Sequence, residues 1–220
     1  MKNSVVKKTM LGKLLDMLLP FYCRGCGKTG TLLCEDCKND MRIIGRVRKE
    51  DKKLRLGEIE ELYIGSFREG ALKNLVADYK FKSVKKATEV LVEILDEAVP
   101  EDLDVVVVPL PTIRKHIRER GFDHTKKLAE EFGKRRGLSV SEVLVRVNKT
   151  VQVGADEGTR EKQAAEAYAV DMEKFDEKKT YLLVDDVWTT GASMRAAAKK
   201  LREAGAKRIL GASLGLSSGQ

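Results

Sequence analysis

Short apolar runs alternate along the chain with longer stretches in which apolar positions return every three to four residues, an order that predicts parallel strands joined by helices. Runs without polar alternation lie near Val105, Leu144, Leu182 and Ile209, as expected of strands covered on both faces. Helical spacing covers residues 84–98. It returns after Gly121-Phe122-Asp123, through Leu128, Ala129, Phe132 and Arg135 to about Gly137, and again from Met194 to Ala204, with Gly205 as the stop. Residues 138–147 read as a strand. The polar stretch 148–163 has no apolar periodicity; with Arg160 and Gln163 around Gly154 and Gly158 it suits a lid over an anion, and equally a plain surface loop. The fold class predicted is α/β, a Rossmann-like parallel sheet with helices on both faces.

At the start, Val5, Val6, Met10, Leu11, Leu14, Leu15 and Leu18 share one face of a predicted helix interrupted by Lys13 and Asp16. No small-residue cleavage site follows, so an amphipathic helix is expected rather than a signal peptide. Its apolar face either packs on the rest of the chain or meets a partner or membrane surface. The 220 residues, 42% hydrophobic and 35% charged, fit one medium domain with a small appendage and no membrane span. The boundary is expected near residue 50: 1–50 for the helix and a cysteine module, 51–220 for the α/β domain, with the charged run 46–55 as a linker. Net charge is +8, which favours an anionic ligand or nucleic acid, but 34 acidic residues interleave with 42 basic ones and dilute any long-range field. The aromatic residues do not interleave with the basic runs as a single-strand stacking groove requires.

All four cysteines fall in two pairs, Cys23-x-x-Cys26 and Cys34-x-x-Cys37. Two such turns supply the four thiolates of a tetrahedral zinc site, and a closed set of this kind is structural. Paired disulfides and an iron–sulfur cluster are the alternatives. Nothing marks a secreted chain, and a cytoplasmic location is expected, where thiols stay reduced.

The stretch from Tyr181 to Ser193 places Asp185 and Asp186 at the end of an apolar strand, followed by Thr189, Thr190, Gly191, Ala192 and Ser193 where a helix begins. Amides and hydroxyls at a helix N-terminus cradle a phosphate, and carboxylates at a strand end accept hydrogen bonds from sugar hydroxyls. A sugar phosphate is the implied ligand. Trp188 either shields that ligand or covers the strand end. Arg114, Arg118 and Arg120 follow the strand near Val105 and form a second candidate anion site, a solvated charged loop being the plain alternative. His116 and His124, the only histidines, lack metal-ligand or triad spacing and are read as surface or capping residues.

The acidic pair, spacer, Thr-Thr-Gly and Ser resemble the phosphoribosyl pyrophosphate loop of type I phosphoribosyltransferases. That resemblance implies that Asp185 and Asp186 are the catalytic acids that hold the ribose hydroxyls, and that Thr189 to Ser193 hold the 5′-phosphate. It further implies that Arg114, Arg118 and Arg120 meet the pyrophosphate, that Mg2+ accompanies the donor, and that the polar stretch is a catalytic lid. Taken with the cysteine pairs, Tyr63-Ile-Gly-Ser-Phe-Arg-Glu-Gly, Lys80-Phe-Lys, Val-Pro-Leu-Pro and Arg120-Gly-Phe, nearly the whole chain is similar to the ComF family of competence proteins. The family couples a zinc finger to a phosphoribosyltransferase-like domain and acts in DNA uptake during natural transformation, which implies a helicase-like competence partner. Its pattern has Asn-Gln where this chain has Asp123-His124, and an Asn where this chain has Gln163. A non-catalytic ligand-sensing or single-stranded DNA-binding adaptor that uses the same pocket is the alternative function.

Overall fold

A computed structural model describes residues 21–50, 54–82, 85–147 and 167–217. The amphipathic stretch 5–19 and the polar stretch 148–163 lie outside the described residues, as do positions 51–53 of the charged run. Strands β1 (Gly45–Arg48), β2 (Glu61–Phe67), β3 (Val106–Pro109), β6 (Thr180–Trp188) and β7 (Arg208–Leu216) form one sheet in the order β1-β2-β7-β6-β3. β2, β7, β6 and β3 run parallel, and β1 pairs antiparallel with β2. The fold is therefore α/β with a mostly parallel sheet, as the pattern of apolar runs predicts. Among the described residues no helix is long and apolar enough to cross a membrane.

Two apolar layers cover the sheet. Helices α2 (Gly70–Lys82), α3 (Lys85–Ala98) and α5 (His124–Arg136) pack Leu72, Tyr79, Leu91 and Phe132 against Leu182 and Val184 on one face. Helix α6 (Ala192–Glu203) packs Met194, Ala197 and Leu201 against Tyr181 and Leu183 on the other, so successive residues of β6 serve opposite layers. Asp123 caps α5 by accepting from the amides of Thr125 and Lys126 at 3.1 and 3.2 Å, and Gly137 ends it in the left-handed conformation.

Three expectations change. The apolar run near Leu144 is only a three-residue strand, β4 (Leu144–Arg146), paired antiparallel with β5 (Tyr168–Val170) in a separate two-stranded sheet; upstream, Val140 makes a single bridge to Val107. β2 takes its place in the parallel sheet. Gly65 makes it look interrupted in sequence, but a Cβ there would sit 2.5 Å from the Leu214 carbonyl oxygen and 2.7 Å from Ile94, so the glycine permits close packing. The first part of the charged run is no linker, because Arg46, Val47 and Arg48 pair with Tyr63, Leu62 and Glu61.

The cysteine module, with short helix α1 (Glu35–Asn39), packs directly on this domain. Leu32 and Leu33 join the layer under α2 and α3, Arg24 pairs with Asp78 of α2, and the Asn74 side-chain amide donates to the Arg24 carbonyl at 2.9 Å.

Candidate anion site and metal centre

The four cysteine sulfurs lie within 4.8 Å of one another, and Cys34 Sγ is 3.6 Å from those of Cys23 and Cys26. Thiolates about 2.3 Å from a tetrahedral metal are about 3.8 Å apart, so the four are positioned to bind a metal ion, and an all-sulfur set suits zinc. No disulfide joins them. The Gly25 and Cys34 amides donate to Cys23 Sγ at 3.4 Å, and a Cβ on Gly25 would meet Cys37 Sγ at 2.5 Å. Burial raises the Cys23 thiol, but amides of Cys26, Cys34 and Gly25 outweigh it and bring it to about 6. The neighbouring thiols of Cys34, Cys23 and Cys26 push Cys37 up to about 12. Four thiols this close share few negative charges until a cation joins them.

The second site gathers where β6 ends between β3 and β7. Asp185 and Asp186 lie inside β6, which runs on past the predicted strand end through Val187 to Trp188; Thr189 and Thr190 turn the chain, Gly191 takes φ 73°, and α6 begins at Ala192. The loop encloses about 40 Å³ lined by Asp185 and residues 187–194, a volume on the scale of one small anion. Arg195 braces the loop by donating to the Thr190 carbonyl at 2.6 Å. Trp188 is 2% exposed and lies directly under Gly191, where any side chain would strike its ring. It covers the strand end.

Adjacent on the strand, the two acids serve opposite faces. Asp186 lies on the α2 and α5 side, ion-paired with Lys80, with His124 Nε2 3.8 Å from Oδ1. Burial would raise its carboxyl, yet His124 and Lys80 hold it well below the usual carboxylate range. Asp185 lies toward Tyr168 and the loop. Burial first, then the charge of Asp186, push it well above that range, the Asp186 amide at 2.8 Å compensating only in part. Tyr168, pushed up by burial, hydrogen-bonds with Ser193 and accepts from Arg146 Nη1 at 3.1 Å.

The three candidate arginines separate. Residues 114–120 form helix α4 rather than a loop. Arg114 and Arg118 face a cleft of about 650 Å³ across from β4, which Lys115, Lys126, Arg146 and Lys174 also line. Arg120 turns away from it: its Nη1 donates to His124 Nδ1 at 2.9 Å and its guanidinium lies 5.5 Å from the Phe81 ring centre. His116 is partly exposed beside Glu119, as expected of a surface residue, whereas His124 is 5% exposed and belongs to the acid site. Arg120 Nη1 lies 2.9 Å from Nδ1 and 3.4 Å from Nε2 of His124, and Nε2 also faces Asp186. Lys80, His124 and Tyr168 are the residues that sequence reasoning missed. The Lys80-Phe-Lys motif was the one available signal, and it carried no role.

No family model matches the chain, and no curated protein matches it. A solved structure of an allosteric regulatory enzyme of purine biosynthesis is similar at 17% identity and TM-score 0.40, over 57% of this chain and 25% of that one. The chain thus spans about a quarter of that protein's length. At this TM-score the likeness decides neither fold nor activity, which rest on the sheet register and site geometry above.

Proposed function

We propose that the protein binds phosphoribosyl pyrophosphate as a member of the type I phosphoribosyltransferase kind, with a structural zinc module in residues 1–50 that lends β1 to the sheet of the 51–220 domain. The observation that carries this reading is the order at the end of β6: two acids, a hydroxyl turn, a left-handed glycine and a helix N-terminus, flanked by parallel strands on both sides. In this reading Thr189 to Ser193 hold the 5′-phosphate, Asp185 and Asp186 accept from the ribose hydroxyls, and Arg114 and Arg118 meet the pyrophosphate. The bond from ribose C1 to the pyrophosphate oxygen breaks with its electron pair going to oxygen. A lone pair of the acceptor forms the new bond to C1 from the opposite side, and the acceptor's proton passes to solvent. Magnesium arriving with the donor would offset the charge that develops on the leaving pyrophosphate, while Arg114 and Arg118 would meet that group from the protein side. Loss of one fixed contact of this kind costs ~3 kcal/mol, or roughly a hundredfold in rate.

A part in DNA uptake with a helicase-like competence partner is proposed from the similarity of the sequence motifs to the ComF family. One observation favours a non-catalytic use of the pocket: both ring nitrogens of His124 lie against Arg120, and Nε2 also faces Asp186, so the imidazole is engaged before any acceptor arrives. Calorimetric titration of the metal-loaded protein separates binding from its absence. Phosphoribosyl pyrophosphate with magnesium is expected to bind in preference to ATP, ribose 5-phosphate more weakly, and Asp185→Asn to lose that preference with metal content unchanged. No binding at millimolar donor would reduce the loop to a structural turn. Pyrophosphate release with candidate acceptors then distinguishes transferase from sensor.

A further inference from the structure

We infer that Arg195 is a positioning residue of the anion loop: by tying two backbone carbonyls together it aims the Gly191 amide into the cavity. This rests on the reading of the pocket just given, in which a phosphate sits there. The guanidinium Nη1 donates at once to the Thr190 carbonyl at 2.6 Å and to the Arg55 carbonyl at 3.1 Å. Thr190 belongs to the loop, and Arg55 to the connection that leads from β1 into β2. That connection is a firm anchor, because Leu54, Leu56 and Ile59 are buried in the apolar layer that α6 shares. Gly57 lies against the arginine stem, and a Cβ there would come 3.2 Å from Arg195 Cδ, so this glycine leaves the side chain its path.

A trans peptide unit carries its carbonyl and its amide on opposite sides. No peptide bond among the described residues is cis, so a Thr190 carbonyl drawn toward Arg195 turns the Gly191 N–H the other way. Gly191 is buried, it lines the cavity of about 40 Å³, and its amide meets no acceptor among the described residues. A buried amide left in that state is costly unless a ligand takes it. The next amide along, that of Ala192, is already directed to Thr190 Oγ1 at 3.4 Å, so Gly191 supplies the donor at the turn itself. Glycine tolerates either sign of φ, and nothing in Gly191, at φ 73°, prevents this peptide from rotating. Arg195 removes that freedom from outside, since the cavity lining ends at Met194. The arginine therefore fixes a donor without taking any of the space the phosphate needs.

The test compares two probes on the metal-loaded protein by calorimetry: ribose 5-phosphate, which needs the loop, and inorganic pyrophosphate, which meets Arg114 and Arg118 in the separate cleft. Arg195→Met keeps the stem and removes the donors; it should weaken ribose 5-phosphate about tenfold and leave pyrophosphate affinity unchanged. Arg195→Lys, whose ammonium can donate to both carbonyls, should recover most of the loss. The Gly191 amide resonance in an NMR titration adds a readout that loss of charge alone would not move. It should shift when ribose 5-phosphate saturates the wild-type protein and stay nearly still at saturation in Arg195→Met. Unchanged ribose 5-phosphate affinity in Arg195→Met, an equal loss for both probes, or the same Gly191 shift in both proteins overturns the positioning role. Failure of ribose 5-phosphate to bind the wild-type protein would instead count against the pocket reading itself.

Discussion

Asp185 and Asp186 are the same residue type, one peptide apart, and the sheet gives them opposite electrostatic fates. The α2 face offers Asp186 a lysine and an imidazole and keeps it ionised. Toward the loop, Asp185 receives burial and its neighbour's charge, and its carboxyl is driven toward the neutral form. An acid pair in a sequence therefore does not mean two equal charges, because strand alternation assigns each member to a different layer before any ligand arrives.

The contrast breaks most visibly on truncation. Asp186→Ala strands Lys80 in a largely buried position and should cost about 3–5 kcal/mol of stability, whereas Asp185→Asn should leave stability at neutral pH unchanged or raised; urea unfolding of both variants measures the gap. A smaller effect sharpens it through pH. The folded-state pKa of Asp186 is depressed, so its contribution is complete above the unfolded value of about 4 and is lost as pH falls through the folded value. Asp185 runs the other way: its contribution is present below about pH 4 and is lost as pH rises through its elevated folded value. Unfolding measured across a pH series should show Asp186→Asn losing the acid limb and Asp185→Asn flattening the slope above pH 4. Identical profiles for the two variants would end the distinction. The smallest effect lies at the open cleft, where Lys126 and Glu142 pair at 2.6 Å with both side chains well exposed. There Lys126→Ala should change stability by less than ~1 kcal/mol.

What could be read in the sequence was what is local in the chain. The cysteine pairs, the strand into Asp185, the hydroxyl turn and the Asp123 and Gly137 caps all lie within a few residues of their partners, so spacing alone encodes them. The partners of Asp186 do not: Lys80 comes from α2 and His124 from the start of α5, and neither helix pattern says which acid it will meet. Arg120 was grouped with Arg114 and Arg118 by proximity in sequence, but on α4 it projects toward His124, away from the cleft. β2 was present in the sequence only as part of a family-like motif, and the packing of Gly65 against Leu214 and Ile94 that seats it in the sheet joins residues far apart in the chain.

The edges of the sheet carry one more lesson. An unpaired strand edge is a template on which another chain can grow. On the β3 side, Val107 exchanges hydrogen bonds with Ser139 and Ser141, which occupies that edge with the chain's own backbone. On the other side β1 presents exposed Arg46 and Arg48, so a strand adding there would have to desolvate two guanidinium groups. The charged run after the cysteine module thus also makes the β1 edge of the five strands found among the described residues a cationic one, poorly suited to recruit a strand from another copy.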